Sequence, residues 1–285
     1  MKNSSFLLFT LLAMTIAAEP FKKITNVKYA EVEGRTLALD LYLPSTKNSP
    51  LIVWIHGGAW RAGSKDFMPL TSLVESGYAI ASLDYRLTTS AKFPALIHDC
   101  KGAIRWLRAH TPEYRYNSRL IGIAGNSAGG HMAALIGTSN GNKELEGNVG
   151  GNKTQSSYVQ AIVSYYGASN LTTILGQSTP HGLSVRVPAL KLLLGDTPDK
   201  TEALAKLASP VFHVDKNDPP LLLLHGDQDP QMPINQAHEL HAAFKAQKLD
   251  VHFEVIHGAA HGGKAFYDPE RNTLVKKFFD RTLKK

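Results

Sequence analysis

A single cysteine, Cys100, stands among 285 residues, which excludes an intramolecular disulfide and a thiolate metal cluster. The twelve histidines form no HExxH string, so no metal is expected, and no cofactor motif appears. The main apolar run, at 6–17, holds about a dozen residues where roughly 20 are needed to span a hydrocarbon core. Stable membrane association is therefore not expected. Charge of one sign is scarce as well: 31 Lys and Arg against 24 Asp and Glu leave +7. Basic residues are dense only in LVKKFFDRTLKK at 274–285. Without a basic stripe interleaved with aromatics, nucleic acid is not an expected partner. With 43% hydrophobic and 19% charged residues, the chain is neither disordered, collagen-like nor a coiled coil.

What is present has an order. MKNSSFLLFTLLAMTIAA (1–18) runs from one lysine through the apolar stretch to small residues before Glu19. That is the layout of a cleaved secretory signal, so a secreted or periplasmic location and a single domain over 19–285 are expected. Alternating strands on either side of Gly34 predict a hairpin. LIVWIH (51–56), YAIASL (78–83), LIGIAG (120–125), VQAIVSYYG (159–167), PLLLLHG (220–226) and VHFEVI (251–256) are short apolar, β-favouring runs. Such runs suit strands buried on both faces. Helical patterns at about 66–75, 94–109, after Ser127, 234–247 and 262–283 lie between or after them. Strands alternating with helices define an α/β fold with a mostly parallel central sheet and helices on both faces. The segment at about 170–217 breaks the rhythm and is expected to be a small cap-like insertion. A polar Gly/Asn-rich loop at 139–157 has no pattern that says whether it covers the site.

The chemistry starts at Gly125-Asn126-Ser127-Ala128-Gly129, a G-x-S-x-G string between a predicted strand and a predicted helix. The small flanking residues permit a sharp turn that lifts the serine hydroxyl above the sheet. A serine needs a base to accept its proton and an acid to orient that base, in the chain order serine, acid, histidine for this strand-turn-helix setting. Past one late strand lie Asp227 and Asp229; past the last lie His257 and His261. Asp229 is a step further into its loop, beside Pro230, and His261 sits in the loop proper while His257 abuts the strand. Asp229 and His261 are therefore favoured. An oxyanion needs backbone N–H donors, which the Gly-rich loop His56-Gly57-Gly58-Ala59-Trp60 can present. Gly58, Ala59 and Ala128 are the candidates, and Trp60 is a candidate for lining the acyl pocket. Asp84, Tyr85 and Arg86 are read as loop ties, His98 and Asp99 as surface or capping groups, and His131 as packed. NKT at Asn152 and NLT at Asn170 are sequons only in a glycosylating host.

HGGAWRAGSK, DYRLTTSAKFPALIHDCKGAIRWLRA, GNSAGGHMAAL, HGDQDPQMP and GAAHGG together resemble the esterase/lipase group of the α/β-hydrolase fold. The resemblance is strongest to the secreted bacterial feruloyl and acetylxylan esterases, with hormone-sensitive-lipase-like esterases as neighbours. It covers the chain from about Val27 onward and implies Ser127, Asp229 and His261 as the triad. Ala59 replaces the third glycine of the neighbours' HGGG string, which leaves its amide available. The implied activity is hydrolysis of short acyl or carbohydrate-linked esters, acetyl or feruloyl, from a small molecule or polysaccharide. A prolyl-type peptidase shares the HG-x-x-D string and late histidine, and a non-catalytic binding protein on the same fold is the other alternative.

Overall fold

The computed structural model describes residues 21–284; the signal-like segment lies outside them. Its backbone is one eight-stranded sheet in the order β1-β2-β4-β3-β5-β6-β7-β8. The strands are β1 (Phe21–Val32), β2 (Arg35–Pro44), β3 (Pro50–Ile55), β4 (Ala79–Leu83), β5 (Asn117–Asn126), β6 (Ala161–Tyr165), β7 (Leu221–Gly226) and β8 (Val251–Ile256). β1 and β2 form the hairpin about Gly34, and β2 pairs antiparallel with β4. From β4 to β8 every pairing is parallel.

The continuous apolar strands are explained by a core on each side of the sheet. In β3, Leu51, Val53 and Ile55 enter one core while Ile52 and Trp54 enter the other, as the two-residue period requires. β7 divides the same way, with Leu221 and Leu223 against Leu222 and Leu224. The first core is covered by α2 (Ala95–Ala109), α4 (Ala128–Thr138) and α9 (Asn235–Ala246), the second by α1 (Thr71–Glu75) and α10 (Pro269–Leu283). Short helices α3 (Thr111–Tyr114) and α5 (Lys143–Glu146) sit in connections. Between β6 and β7 stand α6 (Ile174–Gln177), α7 (Pro180–Leu194) and α8 (Glu202–Leu207); Ala189, Leu190 and Leu193 of α7 join the first core.

Three sequence expectations shift, the first being the helix expected at about 66–75, which is confined to α1 at Thr71–Glu75. The closing helix begins at Pro269 rather than near 262, because Gly262 and Gly263 have φ of +86° and +97° and Asp268 caps the helix by accepting from Arg271 N–H at 2.8 Å. Asp99 is not a surface group: it is fully buried and takes bidentate donation from Arg86, with Nε–Oδ2 2.9 Å and Nη2–Oδ1 2.8 Å. Among the described residues no helix is long and apolar enough to cross a membrane.

Strand order reverses at β3: its neighbours are β4 on one side and β5 on the other. Loops leaving the carboxyl ends of two such strands diverge and open a crevice, the usual place for a ligand in an open α/β sheet. Those loops start at His56 and Ser127.

Candidate active site

The crevice is built on a strained turn. Ser127 has φ +53° and ψ −117°, outside the comfortable region for a side-chain-bearing residue. The turn is held by Ser127 N–H donating to Tyr165 O at 2.8 Å and His131 N–H to Ser127 O at 2.9 Å. A Cβ at Gly125 would come within 2.7 Å of Ile55 O, and one at Gly130 within 2.7 Å of Tyr165 O, so strands and elbow approach too closely for larger residues.

Three side chains from three loops meet there. Ser127 Oγ lies 2.9 Å from His261 Nε2, and His261 Nδ1 lies 2.6 Å from Asp229 Oδ2. Asp229 Oδ1 accepts the N–H groups of Gln231 and Met232, both at 2.8 Å, which fixes the carboxylate plane. Burial opposes ionisation of Asp229, but donation from His225 and His261, the charge of His261 and the Met232 amide outweigh it and hold the carboxyl well below the usual range. An ionised Asp229 requires Nδ1–H on His261, leaving Nε2 with a lone pair toward Ser127. The discarded alternatives pair with each other instead: His257 Nδ1 and Asp227 Oδ2 are 2.8 Å apart at the surface, where His257 is 85% exposed.

Opposite the elbow, the loop from Gly57 to Trp60 lies against the nucleophile, with the Cβ position of Gly57 3.2 Å from Ser127 Cβ. Gly58, Ala59 and Trp60 all have positive φ, +111°, +51° and +60°, a tight left-handed course. Among the described residues, the amides of Gly58, Ala59 and Ala128 donate to no protein group. Tyr85 steadies the loop, donating to His56 O at 2.9 Å and stacking on the His56 ring at 4.5 Å.

Trp60 corrects the sequence reading. Its side chain has no exposed surface, because the left-handed backbone turns the indole inward; it donates to His131 Nδ1 at 3.1 Å and lines no open pocket. His131 passes the connection on, Nε2–H to Ala208 O at 2.7 Å, and burial lowers its pKa to about 4. Trp60 and His131 thus tie the loop to the end of the inserted segment. The polar stretch 139–157 follows the far end of α4 and is bound to α2: Lys101 Nζ donates to Ser139 O at 2.8 Å, Arg105 Nη2 to Val149 O at 3.0 Å, and Arg105 pairs with Glu146. Among the described residues no cluster of His, Cys, Asp or Glu could hold a metal ion.

Sequence reasoning missed three residues in contact with this machinery. His225 Nε2 lies 3.0 Å from Met232 O and 3.4 Å from Asp229 Oδ2. Asn126 and Tyr166 touch the loop and the imidazole. The available signal was position: each lies within two residues of a strand's end at the carboxyl edge of the sheet.

Fold and site together define an α/β-hydrolase carrying the hydrogen-bonded Ser, His and Asp of a serine hydrolase. Within that class the chain belongs to the BD-FAE family, whose model matches residues 39–244. It is 30% identical over 221 residues to Esterase LipC of Mycobacterium tuberculosis, covering 76% of this chain and 54% of that protein. To the probable carboxylic ester hydrolase LipM of the same organism it is 32% identical over 220 residues, 74% of this chain and 49% of that one. The chain spans about half the length of these curated relatives. Among solved structures, a truncated carbohydrate esterase from gut microbiota is similar at 30% identity and TM-score 0.83, covering 94% of this chain and 99% of that one. A bifunctional GH43-CE protein of Bacteroides eggerthii matches at 33% identity and TM-score 0.82, over 92% of this chain and 35% of its own.

Proposed function

We propose that this protein is an exported serine carboxylesterase that hydrolyses short acyl or carbohydrate-linked esters, acetyl or feruloyl, through an acyl-enzyme. The observation that carries the reading is the unbroken chain from Ser127 Oγ through His261 to Asp229, at 2.9 and 2.6 Å. Ser127 Oγ attacks the ester carbonyl as His261 Nε2 takes its proton. The tetrahedral oxyanion accepts from the amides of Ala128, Gly58 and Ala59, each such donor typically worth about 2.7–4 kcal/mol in the transition state. His261 returns the proton to the leaving alkoxide, so alcohol departs and the acyl group stays on Ser127. Water then adds by the same route, its proton going to His261 and back to Ser127 as the acid leaves.

Support for a carbohydrate ester comes from the family and from the carbohydrate esterase at 30% identity; support for export comes from the apolar segment at 6–17. The inserted segment exposes few large apolar side chains, Leu192 and Phe212, which disfavours long-chain lipids. The test is a panel of a short nitrophenyl ester, acetylated xylan, a feruloyl ester, a long-chain ester and a prolyl amide, run on the protein and on Ser127→Ala. The expected result is turnover of the acetyl or feruloyl esters, abolished in a folded variant. Equal activity in Ser127→Ala would overturn the mechanism, and turnover of the prolyl amide alone would overturn the ester reading. Amino-terminal sequencing of protein recovered outside the cytoplasm checks export, with a start near residue 19 expected.

A further inference from the structure

Tyr166 follows β6 with φ +39°, a backbone state that a bulky side chain holds only where its surroundings impose it. The clamp is visible on both sides. Ser127 N–H donates to Tyr165 O at 2.8 Å, and Tyr166 N–H donates to Leu224 O at 2.7 Å, so the strands of the nucleophile and the acid both grip this end of β6. The resulting direction puts the Tyr166 ring edge-on to the His261 imidazole, with centroids 4.9 Å apart and planes at 68°. Its hydroxyl accepts from Asn126 Nδ2 at 3.2 Å and lies 3.3 Å from Tyr267 Oη.

Asn126 immediately precedes the nucleophile, and its Oδ1 accepts from Gly57 N–H at 2.9 Å. Gly57 N–H can only donate, so the amide orientation is determined: oxygen toward the loop, nitrogen toward Tyr166. A Cβ at Gly57 would stand 3.1 Å from Asn126 Nδ2 and 2.8 Å from Asn126 O, so the loop is seated directly on this residue. One side-chain amide therefore joins the loop that offers Gly58 and Ala59 to the aromatic ring against the imidazole.

We propose that Asn126 and Tyr166 are a positioning pair that fixes the oxyanion loop and the His261 ring relative to each other across the nucleophile. Neither touches the reacting atoms; they act through Gly57 and His261. This inference rests on Ser127 as the nucleophile, and two readouts keep the two ideas apart: covalent capture by a serine-directed phosphonate, and kcat with KM on a short nitrophenyl ester. No capture in the wild type would remove the nucleophile reading itself.

Tyr166→Phe keeps the ring and removes the hydroxyl; it is expected to lower kcat and the capture rate about tenfold, since small misplacements of reacting groups cost this much or more, with KM within about twofold. Asn126→Ala is expected to fall at least as far. The double variant is expected to fall no further than Asn126→Ala, because both substitutions break the same bond. Asn126→Asp is expected to recover most of the rate, as one oxygen still accepts from Gly57 N–H and the other accepts from Tyr166 O–H, and in a Tyr166→Phe background to rise no higher than Tyr166→Phe alone. A Tyr166→Phe rate within about twofold of wild type, a multiplicative double variant, or losses that follow thermal midpoint and are not rescued by Asn126→Asp would each overturn the pair.

Discussion

Asp227 and Asp229 are two residues apart in one loop, and His257 and His261 share another, yet each loop sends one member into the Ser127–His261–Asp229 chain and one to the surface. The difference is backbone direction: Asp229 faces the Gln231 and Met232 amides at 2.8 Å, whereas Asp227 accepts from Gly258 N–H at 2.8 Å outside the crevice. Asp229→Asn is expected to lower kcat about a thousandfold or more by favouring the wrong imidazole tautomer, while Asp227→Asn leaves kcat within about twofold; steady-state kinetics on one ester separates them. A second residue-scale expectation concerns pH. Burial pushes the Asp218 carboxyl up to about 7, above an unfolded value of about 3.9. The folded state therefore binds the proton more tightly, and the associated stability is complete below pH 4 and lost as pH rises through 7. Asp218→Asn cannot ionise, so its unfolding free energy, read from denaturant melts, is expected to gain on wild type from pH 4 to pH 8, by about 4 kcal/mol at most. Chain order made the triad legible, because G-x-S-x-G and the two late loops are local patterns. Trp60 was not legible as a buried tie, because its direction depends on the left-handed turn at Ala59 and Trp60.

At the scale of elements, the start of α7 braces the acid loop. Thr179 Oγ1 donates to Pro230 O at 2.6 Å and accepts from Gly182 N–H at 3.0 Å, serving cap and loop together, and Arg186 Nε donates to Gln231 O at 3.3 Å. Thr179→Ala is expected to remove about 1 kcal/mol of capping and to lower kcat a few-fold, read by thermal melts beside ester kinetics; an unchanged kcat would confine the residue to capping. The sequence pattern of 170–217 could mark an interruption but not this bracing, which joins residues about 50 positions apart. α10 illustrates the converse. Its apolar residues Val275, Phe278, Phe279 and Leu283 are spaced for one helix face, and that face settles where Gly122 leaves room: a Cβ there would come within 2.6 Å of Phe279.

For the molecule as a whole, the reversal of strand order at β3 puts the chemistry at one edge of the sheet and leaves the opposite edge free for structure. α4 starts immediately after Ser127 and its 11 residues run about 16 Å toward that opposite edge, so the stretch 139–157 stands away from the catalytic loops. Glu146 there faces Lys101 and Arg105, which are 0% and 2% exposed. Glu146→Ala is expected to cost about 2–3 kcal/mol by leaving buried cations without their carboxylate, with kcat/KM within about twofold of wild type; a denaturant melt and ester kinetics check both parts. The alternation of strands and helices, the elbow and the order of the catalytic residues follow from the amino-acid sequence alone, since periodicity, small residues at a turn and chain order are short-range properties. That Trp60 and Asp99 are buried, that 139–157 lies away from the site, and that Asn126 meets Tyr166 were decided only by the tertiary structure. Those facts depend on where strands distant in the chain end beside one another, and on backbone dihedrals that only the packed surroundings impose.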